Sequence, residues 1–227
     1  MKILALDTAT EACSAALLCD GTAQTRFEAT PRKHASLILP FVDELLSEAG
    51  FSLNQLDAIA ISRGPGSFTG IRIGFALAQG LAMGAGLGVV PVSTLHALAL
   101  AAYDDAPAPL ILAVLDARMG EVYAGGFDFG QDALGVPELA EQVCDPASLR
   151  LDGSGRWLAA GPGVAVYREV IEQVNPDRFD AFKPELLSRA DCVARLADRH
   201  LSSGEEPVDP VLAQPVYLRQ RVADTPG

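Results

Sequence analysis

A glycine-rich turn between a short apolar strand and a helix of small residues is the strongest constraint on how this chain folds. It occupies residues 62–74, SRGPGSFTGIRIG, directly after the apolar run at 58–61. Gly64 and Gly66 can adopt backbone angles closed to other residues, and a helix capped by Ser67 presents free amides at its N-terminus. Such an end attracts anions, so the turn is either a phosphate-binding loop or a tight turn packed against another surface. It matches neither the Walker loop nor the GxGxxG fingerprint, which favours packing.

Composition excludes several classes of protein. The 227 residues are 49% apolar, enough for one large domain or two small ones. A net charge of −12 argues against a stand-alone nucleic-acid binder, and −10 of it falls in residues 104–227, so we expect the nearly neutral first half to meet another protein. The opening strand is too short for a secretory signal. Four cysteines without metal-binding spacing indicate reduced thiols in a cytoplasmic protein.

Residues 73–103 contain no Asp, Glu, Lys or Arg, which raises the question of a membrane span. Gln79, Pro91 and several glycines interrupt this stretch, and residues 88–92 have the pattern of a buried strand. Small residues also supply little free energy for transfer into a bilayer. We therefore predict a buried helix–strand–helix unit and no association with a membrane.

Two copies of one element order are predicted. The first contains strands at 2–8, 12–19, 22–29, 58–62 and 87–92, with helices at 34–49, 68–84 and after Ser93. The second contains strands at 110–116, 121–128, 138–144 and 157–160, with helices after 161–163 and at 188–201. The opening strand of each copy ends in an acid, Asp7 or Asp116. The pattern predicts an α/β protein of two lobes, 1–103 and 104–227, each with a mixed sheet flanked by helices.

This double pattern resembles the actin/hexokinase/Hsp70 (ASKHA) superfamily, whose lobes are ribonuclease H-like. Six blocks narrow the resemblance to the TsaB (YeaZ) family of tRNA threonylcarbamoyladenosine biosynthesis proteins. They are LDTATEACS at 6–14, RGPGSFTGIRIG at 63–74, GLA at 80–82, VSTL at 92–95, DARMGEVY at 116–123 and PVYLR at 215–219. The blocks lie in the family's order and span nearly the whole chain.

The resemblance implies a non-catalytic subunit of the bacterial complex that makes N6-threonylcarbamoyladenosine (t6A) beside the anticodon of tRNAs reading ANN codons. In that family the paralogue TsaD transfers the threonylcarbamoyl group, using a metal held by an HxxxH motif. TsaB proteins pair with TsaD through their first lobe, the ATPase TsaE binds the pair, and TsaB alone forms a homodimer through the same surface. The implied partners are therefore TsaD and TsaE, with tRNA contacted only in the complex. No cofactor of its own is implied; ATP or ADP would belong to the complex.

The residues themselves predict neither a catalytic nor a metal site. His34 has Ile38 where HxxxH needs its second histidine. An ASKHA kinase sets a glycine-containing hairpin against phosphates, and the turn after Asp7 lacks that glycine. A nucleotide-binding small-molecule kinase acting alone is thus the alternative function. The residues predicted to contact a nucleotide or the complex are Asp7, Thr8, Arg63 and Arg118. Turn capping by the acid and ion pairing by the arginines are the competing structural roles.

A partner surface is predicted on the helices at 34–49 and 68–84. Glycine pairs four residues apart, Gly70/Gly74 and Gly80/Gly84, permit close approach of another helix. The second helix is apolar nearly all round, so one face covers its own sheet and the other needs a second cover, from a partner or from the second lobe. The predicted interface residues are Leu37, Phe41, Leu45, Gly70, Gly74, Phe75, Ala78 and Leu81.

Overall fold

Two five-stranded sheets form the centre of the protein. The computed structural model describes residues 1–30 and 33–219. Its first half contains β1 (Lys2–Asp7), β2 (Ala12–Cys19), β3 (Thr22–Ala29), α1 (His34–Ala49), β4 (Ala58–Ser62), α2 (Phe68–Ala85), β5 (Val89–Val92) and α3 (Thr94–Asp105). The second contains β6 (Leu110–Arg118), β7 (Glu121–Asp128), β8 (Val136–Cys144), β9 (Trp157–Ala160), α4 (Pro162–Val174), β10 (Phe179–Lys183) and α5 (Ala190–Ser202).

The two sheets share one topology. Their strand orders are β3-β2-β1-β4-β5 and β8-β7-β6-β9-β10. In each sheet the three opening strands are antiparallel, and the remaining two run parallel to the first strand. This confirms the predicted α/β architecture of two ribonuclease H-like lobes with mixed sheets flanked by helices.

The central strands of the first sheet are covered on both faces. Every residue of β1 except Lys2 is buried, and so are all five residues of β4. Short runs of Ile, Leu and Ala meet this requirement, because a strand covered on both sides has no polar face. At the sheet edge, β3 is partly exposed, and its Phe27 is 45% exposed.

The last helix of each half packs against the sheet of the other half. α3 contacts β6, β7 and β9, whereas α5 lies across β1, β2 and β4 and also contacts α3. Residues of both helices and both sheets form one continuous core. The C-terminal helix and the segment at 207–219 thus pack on the first lobe. The predicted lobe boundary between residues 103 and 104 stays a prediction.

The other helices cover the outer faces of the sheets. α1 packs on β2, α2 packs on β4, and α4 packs on β6. The uncharged stretch at 73–103 forms most of α2 together with β5 and α3, in the predicted order of helix, strand and helix. The unit is not buried throughout, because the outward face of α2 is exposed at Met83 and its neighbours. Among the described residues, no helix has the length and apolar character needed to cross a membrane.

Local sequence signals set the helix ends. The Ser67 hydroxyl accepts a hydrogen bond from the Gly70 amide at 3.2 Å, which caps α2. Ser93 caps α3 in the same way through the His96 amide, also at 3.2 Å. α1 ends at Gly50, whose φ of 68° is the left-handed conformation that terminates helices.

Two glycine substitutions in α2 will have opposite effects on stability. A Cβ added at Gly70 would lie 2.0 Å from the Thr8 carbonyl oxygen, so Gly70→Ala will lower the free energy of unfolding by about 1–3 kcal/mol. A Cβ at Gly80 would meet nothing within 4 Å, so Gly80→Ala will raise it by up to about 1 kcal/mol through helix propensity. Urea unfolding measures both values. Equal effects of the two substitutions would contradict the packing described.

Candidate functional site

A cleft of about 970 Å³ separates the lobes beyond the carboxyl ends of β1 and β6. Its walls are the turn after β1, the first turn of α2, the β6–β7 turn and the beginnings of α1 and α4. The lining side chains that carry charge or a ring are Glu11, His34, Phe68, Asp116, Arg118, Tyr123 and Arg219. Ligands of open α/β sheets bind beyond the carboxyl ends of the strands, which makes this cleft the candidate functional site.

The glycine-rich turn packs against the β1–β2 turn. A Cβ at Gly66 would lie 2.2 Å from the Ala9 carbonyl oxygen, and one at Gly74 would lie 2.5 Å from the Thr8 hydroxyl. The Ser67 amide donates to the same Ala9 carbonyl at 2.7 Å. Side chains at these glycines would separate the two turns. The glycines thus permit close packing, and the Ser67 amide is occupied by protein.

Asp7 is sealed beneath the cleft. It is 1% exposed, and its Oδ1 accepts a hydrogen bond from the Ala9 amide at 3.0 Å. The hydroxyls of Ser62 and Ser188 lie beside the carboxyl, but Oδ2 has no well-oriented hydrogen-bond partner among the described residues. Burial dominates and raises the pKa of Asp7 above its ordinary value.

Thr8 is equally buried, and its hydroxyl donates to the Gly70 carbonyl at 2.8 Å. Neither Asp7 nor Thr8 faces the cleft. Their side chains close the turn against α2, and the predicted contact of either residue with a nucleotide or the complex stays a prediction. His34 also stabilises the β1–β2 turn, because its Nε2 donates to the carbonyls of Thr10 and Ala12 at 3.0 and 3.1 Å.

The corresponding acid of the second lobe is committed to its own turn. Asp116 Oδ1 accepts from the Arg118 amide at 2.8 Å, and Oδ2 pairs with the Arg118 guanidinium at 2.9 Å. Asp7 and Asp116 thus each accept a hydrogen bond from the amide two residues later. This is the turn-capping role that competes with ligand binding. The Arg118 side chain is 77% exposed and lines the cleft, so its predicted contact with a nucleotide or the complex stays a prediction.

Arg63 does not reach this cleft. Its Nη2 lies 3.1 Å from Glu141 Oε2 on β8, an ion pair between the lobes. The pair borders a second cavity of about 490 Å³, which is also lined by His96 and Arg199. The competing ion-pair role is therefore found for Arg63, and its predicted contact with a nucleotide or the complex stays a prediction.

The two buried cysteines, Cys13 and Cys192, are poorly suited to act as nucleophiles. Burial raises the pKa of the Cys13 thiol to about 12, and it raises that of Cys192 well above its ordinary value. Cys192 lies near Asp104 and Asp191, the one arrangement with metal-ligand spacing among the described residues. Both carboxylates are already engaged, Asp104 by Arg195 at 2.5 Å and Asp191 by Arg189 at 2.8 Å. The cluster is accordingly an ion-pair network.

Sequence reasoning missed Arg219 and Phe68 as cleft residues. Arg219 pairs with Glu121 on β7, and Phe68 is 52% exposed at the start of α2. Both residues lie in sequence blocks that carry the family resemblance. The sequence therefore marked them, but it did not show that they border the same cleft.

The predicted partner surface needs correction in its details. Five of its eight residues are buried inside the first lobe: Leu45, Gly70, Gly74, Phe75 and Ala78. Leu37, Phe41 and Leu81 are partly exposed. The outward stripe of α2 consists instead of Phe68, Thr69, Arg72, Ala76, Gly80, Met83 and Gly84. The error is one of helix face, because a helix that is apolar all round gives no signal for which side meets the sheet.

Substitution of Asp7 tests its protonation. Because its folded-state pKa is raised, the unfolded chain loses the proton first as pH rises above about 4, and the wild type loses stability until the folded-state pKa is reached. Asn cannot ionise, so the stability of Asp7→Asn relative to the wild type will increase with pH through that window. Urea unfolding at pH 4 and pH 8 measures the change. A relative stability that falls with rising pH would show that Asp7 is held as a stabilised anion.

Comparisons with known proteins agree with this geometry. The family model of TsaD, tRNA N6-adenosine threonylcarbamoyltransferase, matches residues 28–187. The tRNA threonylcarbamoyladenosine biosynthesis protein TsaB of Escherichia coli (strain K12) is 41% identical over 226 residues, which cover 98% of this chain and 96% of the relative. TsaB of Haemophilus influenzae is 40% identical over 234 residues, covering 98% and 95%.

The solved structure of YeaZ from Pseudomonas aeruginosa has the same fold. Its TM-score is 0.88 at 41% sequence identity, with 96% of this chain and 99% of that chain covered. The similarity in sequence and in structure thus extends over both lobes. It includes α3 and α5, the two helices that pack on the sheet of the other lobe. The chain belongs to the TsaB (YeaZ) family of tRNA threonylcarbamoyladenosine biosynthesis proteins.

Proposed function

We propose that this chain is a non-catalytic subunit of the bacterial complex that makes t6A in tRNA. Its relatives over nearly the full length are named for that pathway. The observation that carries the non-catalytic part is the burial of Asp7 beneath the turn formed by Thr8 and Ala9. An acid that is closed off from the cleft can neither hold a metal-bound phosphate nor reach a substrate proton there.

The alternative, a nucleotide-dependent kinase acting alone, has less support. Such an enzyme needs carboxylates from both lobes to face the cleft. Asp7 is buried, and both oxygens of Asp116 are occupied by Arg118. Opening the Asp7 site would take a rearrangement of the β1–β2 turn, which packs against Gly66 and Gly70.

The partner that fits this subunit is TsaD. The match of the TsaD family model from residue 28 to residue 187 includes α1 and α2, so TsaD carries counterparts of these helices. Two proteins of one fold can join through equivalent helices about a pseudo-twofold axis, and a homodimer of this chain would use the same surface. TsaE would then bind the assembled pair.

The two glycine pairs of α2 distinguish internal packing from docking. Gly70 and Gly74 are buried and touch Thr8, so the fold explains their small size. A Cβ at Gly80 or Gly84 would meet nothing within 4 Å, so nothing in the described residues uses the absence of a side chain there. Close approach of a partner helix would use it. We therefore assign docking to the outward stripe of α2 with Leu37, Phe41 and Leu81 at its margin.

The charge of the chain limits its own role toward RNA. With a net charge of −12, it would meet tRNA only as part of the complex, where Arg118 at the cleft is the described candidate for contact. No cofactor is assigned to the chain itself, and ATP or ADP would be held in the complex with TsaD and TsaE. A bacterial protein that takes part in tRNA modification would act in the cytoplasm.

A charge on the outward stripe of α2 will abolish t6A formation. Met83 is 62% exposed, so Met83→Glu will leave the fold intact but bury a carboxylate against TsaD. In cells depleted of the native protein and supplied with this variant, we expect tRNA to lack t6A. Mass spectrometry of the tRNA nucleosides measures the t6A content. Phe27→Glu, at a 45% exposed position on β3, is the matched control and will restore t6A. Full t6A with soluble Met83→Glu would exclude docking through this stripe.

The isolated chain will show no micromolar binding of Mg-ATP in calorimetric titration. The physical reason is that Asp7 is closed to the cleft and Asp116 is paired. Micromolar binding that is lost in Asp116→Asn would instead support the kinase.

A further inference from the structure

The segment at 207–219, here called the C-terminal strap, crosses the first lobe after α5. It begins with a two-way backbone pairing in which Val208 and Val89 each donate to the other at 2.8 Å. The Gln79 side chain on α2 then donates to the carbonyls of Pro210 and Ala213 at 2.8 and 3.1 Å. Ala213 is 3% exposed and belongs to the core of the first lobe. The strap is thus fixed to β5 and α2.

Farther on, the strap is fitted to the glycine-rich turn. The Val216 amide donates to the Arg63 carbonyl at 2.8 Å. A Cβ at Gly64 would lie 2.9 Å from the Val216 carbonyl oxygen, and Gly64 has a φ of 98°. Gly64 is therefore required for two reasons: its backbone angle favours glycine, and the strap lies too close to leave room for a side chain.

The end of the strap reaches the other lobe at the mouth of the cleft. Tyr217 accepts a hydrogen bond from Arg72 Nε at 3.2 Å and anchors the chain on α2. Two residues later, Arg219 forms an ion pair with Glu121 on β7. Its Nη2 also lies 3.4 Å from the Arg118 carbonyl oxygen in the β6–β7 turn. Arg219 lines the cleft and is thus a first-lobe anchor for a second-lobe hairpin.

We propose that the C-terminal strap is a latch that sets the opening of the cleft through the Arg219–Glu121 ion pair. The Arg219 side chain is 19% exposed, so solvent screens this pair less than an ordinary surface pair. The anchors at Val216 and Tyr217 also reduce the conformational entropy that Arg219 loses when it binds.

The rest of the molecule is suited to the motion that the latch restrains. The lobes meet mainly through α3 and α5, whose contact faces are rich in alanine and other apolar residues, and also through the Arg63–Glu141 ion pair. Apolar packing is not directional and permits small sliding of helices, as in shear motions. Release of Arg219 would therefore let the second lobe rotate about the α3–α5 core and widen the cleft.

Spin-label distances across the cleft test the latch. Glu11→Cys and Val166→Cys place labels on opposite walls at exposed positions, in a chain with Cys19→Ser and Cys144→Ser; Cys13 and Cys192 are buried. We expect one narrow distance distribution in this parent. Arg219→Ala and Glu121→Ala will each shift it to longer distances, and the double variant will shift it no further than either one.

Two further variants keep the test decisive. The exchange of charges, Arg219→Glu with Glu121→Arg, will restore the short distance at least in part, whereas a general loss of structure would not be repaired. Arg156→Ala removes an ion pair with Asp180 inside the second lobe and will leave the distribution unchanged. A parent-like distribution in folded Arg219→Ala would overturn the proposal, as would equal opening in Arg156→Ala.

Discussion

The close packing of α2 against the β1–β2 turn is the contact on which the rest of the structure depends. Side chains at Gly66, Gly70 and Gly74 would hold these elements apart, and atoms of Thr8 and Ala9 occupy the space instead. This contact fixes α2 on the first sheet and closes the turn over Asp7. It also determines which face of α2 remains outward. A motif that in isolation resembles a phosphate loop is used here to join two elements.

The seal over Asp7 connects the fold to the proposed role. In the proposed role, a lobe whose strand-end acid is buried does not offer that acid to a metal-bound phosphate, and its outer helices serve for docking instead. The exposed glycines at 80 and 84 fit this division, because no described residue of the chain packs against them. In the proposed role, the cleft bordered by Arg118 and the C-terminal strap would belong to the assembly.

Local signals in the sequence predicted most elements, and long-range packing explains what they missed. The caps at Ser67 and Ser93 and the stop at Gly50 act within one turn, so they are readable without a fold. The packing of α3 and α5 on the sheets of the opposite lobes depends on long-range contacts. In one of them the Ala190 amide donates to the hydroxyl of Ser14, 176 residues away. The outward face of α2 was likewise hidden by its uniform apolarity. The strand β10 was missed because it is short and mixes charged with aromatic residues.

Hydrogen exchange of the chain alone and bound to TsaD tests the central claim most directly. If the chain is a subunit that docks through its outer helices, amides of α2 and of the adjoining part of α1 will exchange more slowly in the complex. Peptides from the outer helix α4 of the second lobe will not change. Co-elution of the two proteins with unchanged exchange in α1 and α2 would contradict the account.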